Sequence, residues 1–172
     1  MLSVFLFLFI IFYSSCTTVK YYVVRHAEKA TASEGTVMST PNDPPLSSAG
    51  KVRAIELGEV LKSRQIMNIY STNTIRTIST AQPLKYLRGI PIEFYNTRDS
   101  LDYFIEKLKN IKKGNSLIVG HSNTVDNIVN KLCGEIKIAA DLPDSEYDNL
   151  YLVIKKGKKM FFENKTYGTT TN

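Results

Sequence analysis

Two histidines are the only imidazoles in this sequence of 172 residues, and each follows a run of apolar residues. His26 comes after Arg25 at the end of KYYVVRH, and His121 comes after Gly120 at the end of SLIVGH. Arg76 lies in a third segment, STNTIRT. Guanidinium groups bind phosphate oxygens in a bidentate manner, and a histidine that cationic surroundings keep neutral can attack phosphorus. These residue types predict phosphate chemistry wherever the fold brings them together.

Strand-like and helix-like segments alternate along the chain after residue 19. The pattern predicts four strands, each followed by a helix, and two final strands joined by a turn at Gly157. Pro83 predicts a kink or an interruption in the second helix. Four strand–helix repeats predict an α/β fold, a three-layer α/β/α sandwich around a mostly parallel sheet. The apolar residues of the first predicted helix recur at near-helical spacing: Val52, Ile55, Leu57, Val60 and Leu61.

The predicted sheet brings the candidate residues to one edge. Ligands of open parallel sheets bind beyond the carboxyl ends of the strands. Arg25 and His26 end the first predicted strand, and Gly120, His121 and Ser122 end the fourth. Arg76 lies near the start of the helix after the second strand, and the helix N-termini add backbone donors for an anion. We therefore expect an oxyanion site here, with phosphate as the first candidate.

Four motifs in this chain resemble those of the histidine phosphatase superfamily, which is phosphoglycerate mutase-like. They occur in the family's order and cover nearly all of residues 20 to 130. Any one of them would be weak evidence, whereas four in order on the expected strands and helices are strong evidence. The motifs are VVRHAEK, PLSSAGKVRA, YSTNTIRTISTA and LIVGHSNT.

The resemblance implies a role for each residue. His26 would attack a phosphoryl group and form a phosphohistidine that water hydrolyses, while Arg25 and Arg76 would hold the phosphate oxygens. His121 would stabilise the transferring group, and Ser122 would join the phosphate-binding residues. The arginines would supply the countercharge, so the resemblance implies neither a metal nor another cofactor.

The general acid has two candidates. A leaving alkoxide needs a proton, which a carboxylic acid with a raised pKa commonly donates. The resemblance implies an acid just after the third strand, where FYNTRDS supplies Asp99, although Asp99 could instead cap the next helix. Glu28, two residues past His26, is the alternative.

The expected function is metal-independent hydrolysis of a phosphomonoester or phosphoramidate through a phosphohistidine on His26. A non-catalytic phosphate- or partner-binding module on the same fold is the alternative. The substrate would be a small phosphorylated molecule or a phosphoprotein, with the segments Ala30 to Pro45 and Ile136 to Asp148 as its walls. The net charge is +6, but the basic run KKGKK is typical of a solvated turn, so we expect no nucleic-acid partner.

The N-terminal residues predict export. Residues 1–19 carry no charged side chain, and the apolar run of about 12 residues from Leu2 to Tyr13 is too short to cross a bilayer. The following SSC resembles a bacterial lipoprotein signal, which implies a signal peptide over 1–15, a lipid on Cys16 and one domain over 16–172. The protein would then be exported and anchored to a membrane through this lipid. An uncleaved anchor or a non-lipid secretory signal is the alternative.

Overall fold

The computed structural model describes residues 17–31, 43–98 and 100–171. The predicted signal peptide, the lipidation of Cys16 and the predicted acid Asp99 lie outside these residues. Strands and helices alternate as the sequence predicts, and a strand hairpin ends the chain. The elements are β1 Thr18–Arg25, α1 Ser48–Leu61, β2 Ile66–Ser71, α2 Ile75–Arg88, β3 Ile92–Phe94, α3 Leu101–Lys109, β4 Asn115–Gly120, α4 Val125–Cys133, β5 Asn149–Lys156 and β6 Lys159–Thr166.

Six strands form one mixed sheet in the order β3-β2-β4-β1-β5-β6. The first four strands are mutually parallel, whereas β5 runs antiparallel to β1 and pairs with β6 in a hairpin. The central strands β1 and β4 each end in five consecutive buried residues, because helices cover both faces of the sheet. One apolar cluster packs α1 and α2 against one face, and another packs α3 and α4 against the other. The predicted three-layer α/β fold is confirmed.

The buried face of α1 differs from the one that its apolar spacing suggests. Val52 and Ile55 are 56% and 57% exposed, whereas Ala54, Leu57 and Gly58 are buried. The reason is that α1 packs closely on α2 through a glycine. A Cβ atom at Gly58 would lie 3.2 Å from the Cβ of Pro83, so a larger residue would push the two helices apart.

Helix α2 runs through Pro83 without interruption, so that part of the expectation is wrong. Thr74 caps its start by accepting a hydrogen bond from the backbone N–H of Thr77. Gly89 ends it in a left-handed conformation at φ 65°. The helix start, which carries Arg76, is therefore fixed at the end of β2. Within the described ranges, no helix is both long enough and apolar enough to cross a membrane.

Candidate active site

The carboxyl edge of the sheet brings together the two predicted histidines and the two predicted arginines. Arg25 pairs with Gly120 in the parallel register of β1 and β4, and the backbone N–H of His26 donates to the Gly120 carbonyl at 2.9 Å. The rings of His26 and His121 lie edge to face, with centroids 5.4 Å apart. Together with Arg76 they line a cavity of about 910 Å³.

The loop after β1 is held tightly, which fixes the His26 ring. The backbone N–H of Ala27 donates to Thr80 Oγ1 at 2.9 Å. The Glu28 carbonyl accepts a hydrogen bond from the backbone N–H of Ser47 at 2.9 Å and lies against Gly50, where a Cβ atom would come within 2.2 Å of it. Only glycine fits at that position, and this contact accounts for the Gly in the PLSSAGKVRA motif.

His26 is neutral and keeps a lone pair on Nε2. Its Nδ1 lies 2.8 Å from the Ala27 carbonyl oxygen, and because a carbonyl can only accept, Nδ1 carries the proton. The ring is only 4% exposed. This burial, together with the neighbouring His121 ring and the charges of Arg25 and Arg76, lowers the pKa of His26 to about 3, although the hydrogen bond to the Ala27 carbonyl opposes the shift. At neutral pH, Nε2 is therefore unprotonated and keeps its lone pair.

His121 is also neutral, with the opposite tautomer. Arg76 Nη2 lies 3.3 Å from His121 Nδ1, and a guanidinium can only donate, so Nδ1 accepts and Nε2 carries the proton. Nε2–H donates to Thr72 Oγ1 at 2.8 Å, and that hydroxyl donates onward to Thr77 Oγ1 at 3.1 Å. Burial first, and then Arg76, lower the pKa of His121 to about 4, although Asp43 opposes the shift.

Arg25 is held by the segment that precedes β5. Its Nη1 donates to the carbonyls of Pro143 and Glu146 at 2.7 and 3.0 Å, and its Nη2 lies 3.2 Å from Asp144 Oδ1. The Tyr147 ring stacks on the guanidinium, with its centroid 4.2 Å from Cζ. Nε, by contrast, is buried and has no hydrogen-bond partner in the described part of the chain. Arg25 therefore retains one unused donor beside the cavity.

Arg76 holds a carboxylate at the start of α2. Its Nη1 donates to Asp43 Oδ1 at 2.9 Å, and the backbone N–H of Ile75 donates to Asp43 Oδ2 at 2.8 Å. A guanidinium beside a helix N-terminus is the arrangement that also binds phosphate. Asp43 at Arg76 and Asp144 at Arg25 are thus the anions that an incoming phosphate would replace.

The structure places the alternative acid, Glu28, in an ion pair outside the lining of the cavity. The Glu28 carboxylate turns away from the cavity and pairs with the buried Arg53, whose guanidinium lies 2.8 Å from Oε1. Glu28 is not among the residues that line the cavity. The neighbours Thr97 and Arg98 of the other candidate, Asp99, do line it. The N-cap position of α3 belongs to Ser100, while Asp99 itself lies outside the described residues.

The cavity contains further predicted residues, and two residues that support its side chains were not predicted. Ser122 lines the cavity, and each of the two expected wall segments contributes to it, for example through Ala30 and Asp144. Thr72, the partner of His121, was not predicted, although it lies within the STNTIRT motif. Tyr147, the partner of Arg25, was not predicted either, because the polar segment before β5 gives no signal for it. Across residues 17–31, 43–98 and 100–171, no three His, Cys, Asp or Glu side chains cluster closely enough to hold a metal ion.

Comparisons with known proteins agree with this geometry. The model of the histidine phosphatase superfamily (branch 1) matches residues 21–102. No curated protein sequence matches significantly. Among solved structures, the chain resembles phosphoglycerate mutase from Bacillus anthracis (TM-score 0.58, 16% identity, 87% of this chain and 93% of that chain). It also resembles phosphoserine phosphatase from Entamoeba histolytica (TM-score 0.62, 12% identity, 88% of this chain and 98% of that chain). A third similar structure is mycobacterial glucosyl-3-phosphoglycerate phosphatase (TM-score 0.60, 13% identity, 90% of this chain and 100% of that chain). At these identities, the likeness shows a shared fold.

Proposed function

We propose that this chain is a histidine phosphatase, as the family match over residues 21–102 supports, and that it hydrolyses a phosphomonoester or phosphoramidate through a phosphohistidine on His26. The observation that carries the proposal is the lone pair on His26 Nε2 beside two arginines. A module that only bound phosphate would gain from a protonated imidazole, which adds a positive charge. The lowered pKa of His26 therefore favours a nucleophile over a binding module.

The first step transfers the phosphoryl group to the enzyme. Phosphate oxygens take the Arg25 Nε donor and the Arg76 guanidinium, and His26 Nε2 forms a bond to phosphorus while the bond to the leaving group breaks. The ring then carries a phosphoryl group on Nε2 and a proton on Nδ1, so it becomes cationic. The Ala27 carbonyl, already 2.8 Å from Nδ1, stabilises this positive charge.

Water completes the reaction. Its oxygen attacks phosphorus, the bond from Nε2 to phosphorus breaks, and inorganic phosphate leaves while His26 returns to its neutral form. Once Arg76 shifts from His121 Nδ1 to the phosphate oxygens, Nδ1 is free to accept a proton from the attacking water. The resulting imidazolium donates a hydrogen bond to the departing phosphate, while Thr72 stays the partner of Nε2.

The carboxylates near the cavity indicate which class of substrate suits the site, because a carboxylic acid is the usual proton donor to a leaving group. In the described chain, the carboxylates beside the phosphate-binding arginines, Asp43 and Asp144, are both ion-paired, and Glu28 points elsewhere. Substrates whose leaving group needs little protonation by the enzyme, such as phosphoramidates and esters of acidic alcohols, suit this site. Asp99, next to the cavity-lining Arg98, remains our candidate acid for other esters.

The size and charge of the cavity favour a small substrate with a second anionic group. A volume of about 910 Å³ leaves room for a leaving group beyond the phosphate. Lys29 and Arg98 also line the cavity, and their side chains have no ion-pair partner in the described ranges. They would contact a carboxylate or a second phosphate on the leaving group.

Trapping the phosphoenzyme tests this function. We expect wild type to form an acid-labile phosphoenzyme with p-nitrophenyl phosphate and with phosphoramidate, and His26→Asn to form none. Arg76→Ala should lower kcat/KM by at least about a hundredfold, since it removes a charged contact made to the transferring group. Arg88→Ala, on the exposed end of the same helix, is the matched control and should leave kcat/KM unchanged. Phosphate binding without any phosphoenzyme would support the non-catalytic module instead.

We also propose that the chain is exported and that Cys16 carries a lipid. The support is the uncharged N-terminal stretch and the SSC sequence at its end. Cys16→Ala should release the protein from membranes. Membrane retention of this variant would favour an uncleaved anchor.

A further inference from the structure

The last described residues, 167–171, connect helix α1 to the segment that precedes β5, beside the catalytic cavity. They follow β6, and they lie far outside the segment that matches the family model. We call them the C-terminal strap. One end of the strap contacts the side chain that holds the loop of the nucleophile, and the other end contacts the segment that holds Arg25. Neither contact follows from the chemistry of phosphate transfer, so both need another explanation.

The first connection runs through Arg53. Its side chain is only 4% exposed, and its guanidinium makes three kinds of contact. It donates to Glu28 Oε1 at 2.8 Å, to the Tyr167 carbonyl at 3.1 Å and to the Thr169 carbonyl at 2.8 Å. A buried guanidinium needs such acceptors, and the strap supplies two of them. Arg53 thereby ties the strap to the loop that begins at His26.

The second connection runs through Thr171. Its Oγ1 accepts a hydrogen bond from the backbone N–H of Tyr147 at 3.0 Å and donates one to Asp148 Oδ1 at 2.6 Å. The backbone N–H of Tyr167 donates to the Asp148 carbonyl at 2.9 Å. Tyr147 is the residue whose ring stacks on Arg25 and lies 6.1 Å from the His26 ring. The strap thus fixes the residue that covers the phosphate-binding guanidinium.

From these contacts, we propose that the C-terminal strap is a positioning element of the catalytic site, with Thr171 and Arg53 as its positioning residues. Thr171 acts on Arg25 through Tyr147 and so controls affinity for phosphate. Arg53 acts on His26 through Glu28 and so controls the rate of phosphoryl transfer. This assignment also gives Glu28 a role that accounts for its orientation away from the cavity. The predicted effect of Arg53 on the rate rests on the proposed phosphatase function. The predicted effect of Thr171 on phosphate affinity does not depend on that function.

Titration of the full chain with inorganic phosphate tests the role of Thr171. Thr171→Val keeps the side-chain shape but loses both hydrogen bonds, so the dissociation constant for phosphate should rise about three- to tenfold. KM should rise by the same factor as the dissociation constant, while kcat should stay within about twofold of the wild-type value. Thr170→Val is the matched control, because its exposed side chain makes no hydrogen bond in the described chain, and its constants should equal those of wild type.

A purely structural strap would give a different pattern. Thr171→Val would then lower the melting temperature while leaving phosphate affinity at 25 °C unchanged, and this outcome would overturn the proposal. Equal changes in the Thr170 and Thr171 variants would overturn it as well. Arg53→Met should lower the rate of phosphoenzyme formation more than it raises the phosphate dissociation constant, and the reverse order would refute its assignment. If Arg53→Met does not fold, the Thr171 measurements alone decide. Failure of wild type to form a phosphoenzyme would remove the proposed function but not the predicted difference in phosphate affinity.

Discussion

Lowering the pH from about 7.5 to about 5.5 should destabilise the fold through its two histidines. The pKa of His26 is lowered to about 3 and that of His121 to about 4, mainly by burial. In the unfolded chain, both imidazoles return to a pKa of about 6.5. Below that value the unfolded state binds protons that the folded state does not, so the free energy of unfolding falls as the pH drops. The loss continues until the pH reaches the folded-state pKa values.

The size of the effect follows from these pKa values. Over this pH range, an unfolded histidine changes from roughly one-tenth to roughly nine-tenths protonated, while the buried rings stay almost wholly neutral. Each histidine therefore contributes a loss of about 1.4 kcal/mol, or about 2.7 kcal/mol for the two. Partial exposure of His121 makes this an upper value. The chain has no other histidine, so no further imidazole contributes.

Urea denaturation followed by circular dichroism measures this loss, in a buffer that contains no phosphate, since bound phosphate would stabilise the folded state. Wild type is compared with the double variant His26→Asn, His121→Asn. Carboxylates titrate in both proteins, so the difference between their two losses isolates the imidazoles. We expect wild type to lose up to about 2.7 kcal/mol more than the variant. Equal losses would mean that the histidines titrate normally in the fold, and the argument for a neutral nucleophile would fail.

Three further outcomes follow from the cavity. Arg98→Ala should lower kcat/KM about tenfold for a phosphomonoester that carries a carboxylate, but leave p-nitrophenyl phosphate unaffected; equal effects on both would exclude a second anion contact. Glu28→Gln should slow good and poor leaving groups by the same factor, because Glu28 is paired with Arg53 and does not line the cavity. A selective effect on poor leaving groups, measured over a series of aryl phosphates, would restore Glu28 as the acid. Asp144→Asn removes an exposed competitor for Arg25 and should tighten inhibition by inorganic phosphate up to about fivefold at low salt. That gain should shrink at high salt, and a gain that does not depend on salt would refute the electrostatic explanation.

The residues at the strand ends could be predicted because their positions depend on topology alone. A parallel sheet places the last residues of β1 and β4 side by side, so Arg25, His26 and His121 meet whatever the details of packing. Arg76 follows for the same reason, since α2 begins where β2 ends. The alternation of strands and helices in the sequence is therefore enough to predict that these four side chains lie at one edge of the sheet.

The orientation of Glu28 and the face of α1 depend on contacts between distant segments. Glu28 lies two residues from the nucleophile, but Arg53 and the strap beyond β6 provide its ion pair and turn it away from the cavity. Similarly, Gly58 lets α1 pack on α2, and this leaves Val52 on the solvent side despite its helical spacing. Local patterns carry no information on such partners, so the sequence predicted the reacting atoms better than the groups that support them.

The pairing of each phosphate-binding arginine with an aspartate bears on how tightly the site can hold its product. Buried or half-buried guanidiniums need an anion nearby, and Asp144 and Asp43 supply it before substrate arrives. An incoming phosphate therefore exchanges one anion for another and gains only the difference between the two interactions. Arg25 Nε is the exception, because it is buried without a partner among the described residues and would gain a full hydrogen bond. In the proposed reaction, this exchange would hold down the affinity for free phosphate and ease product release, whereas the contact with Nε would add binding that neither aspartate offsets.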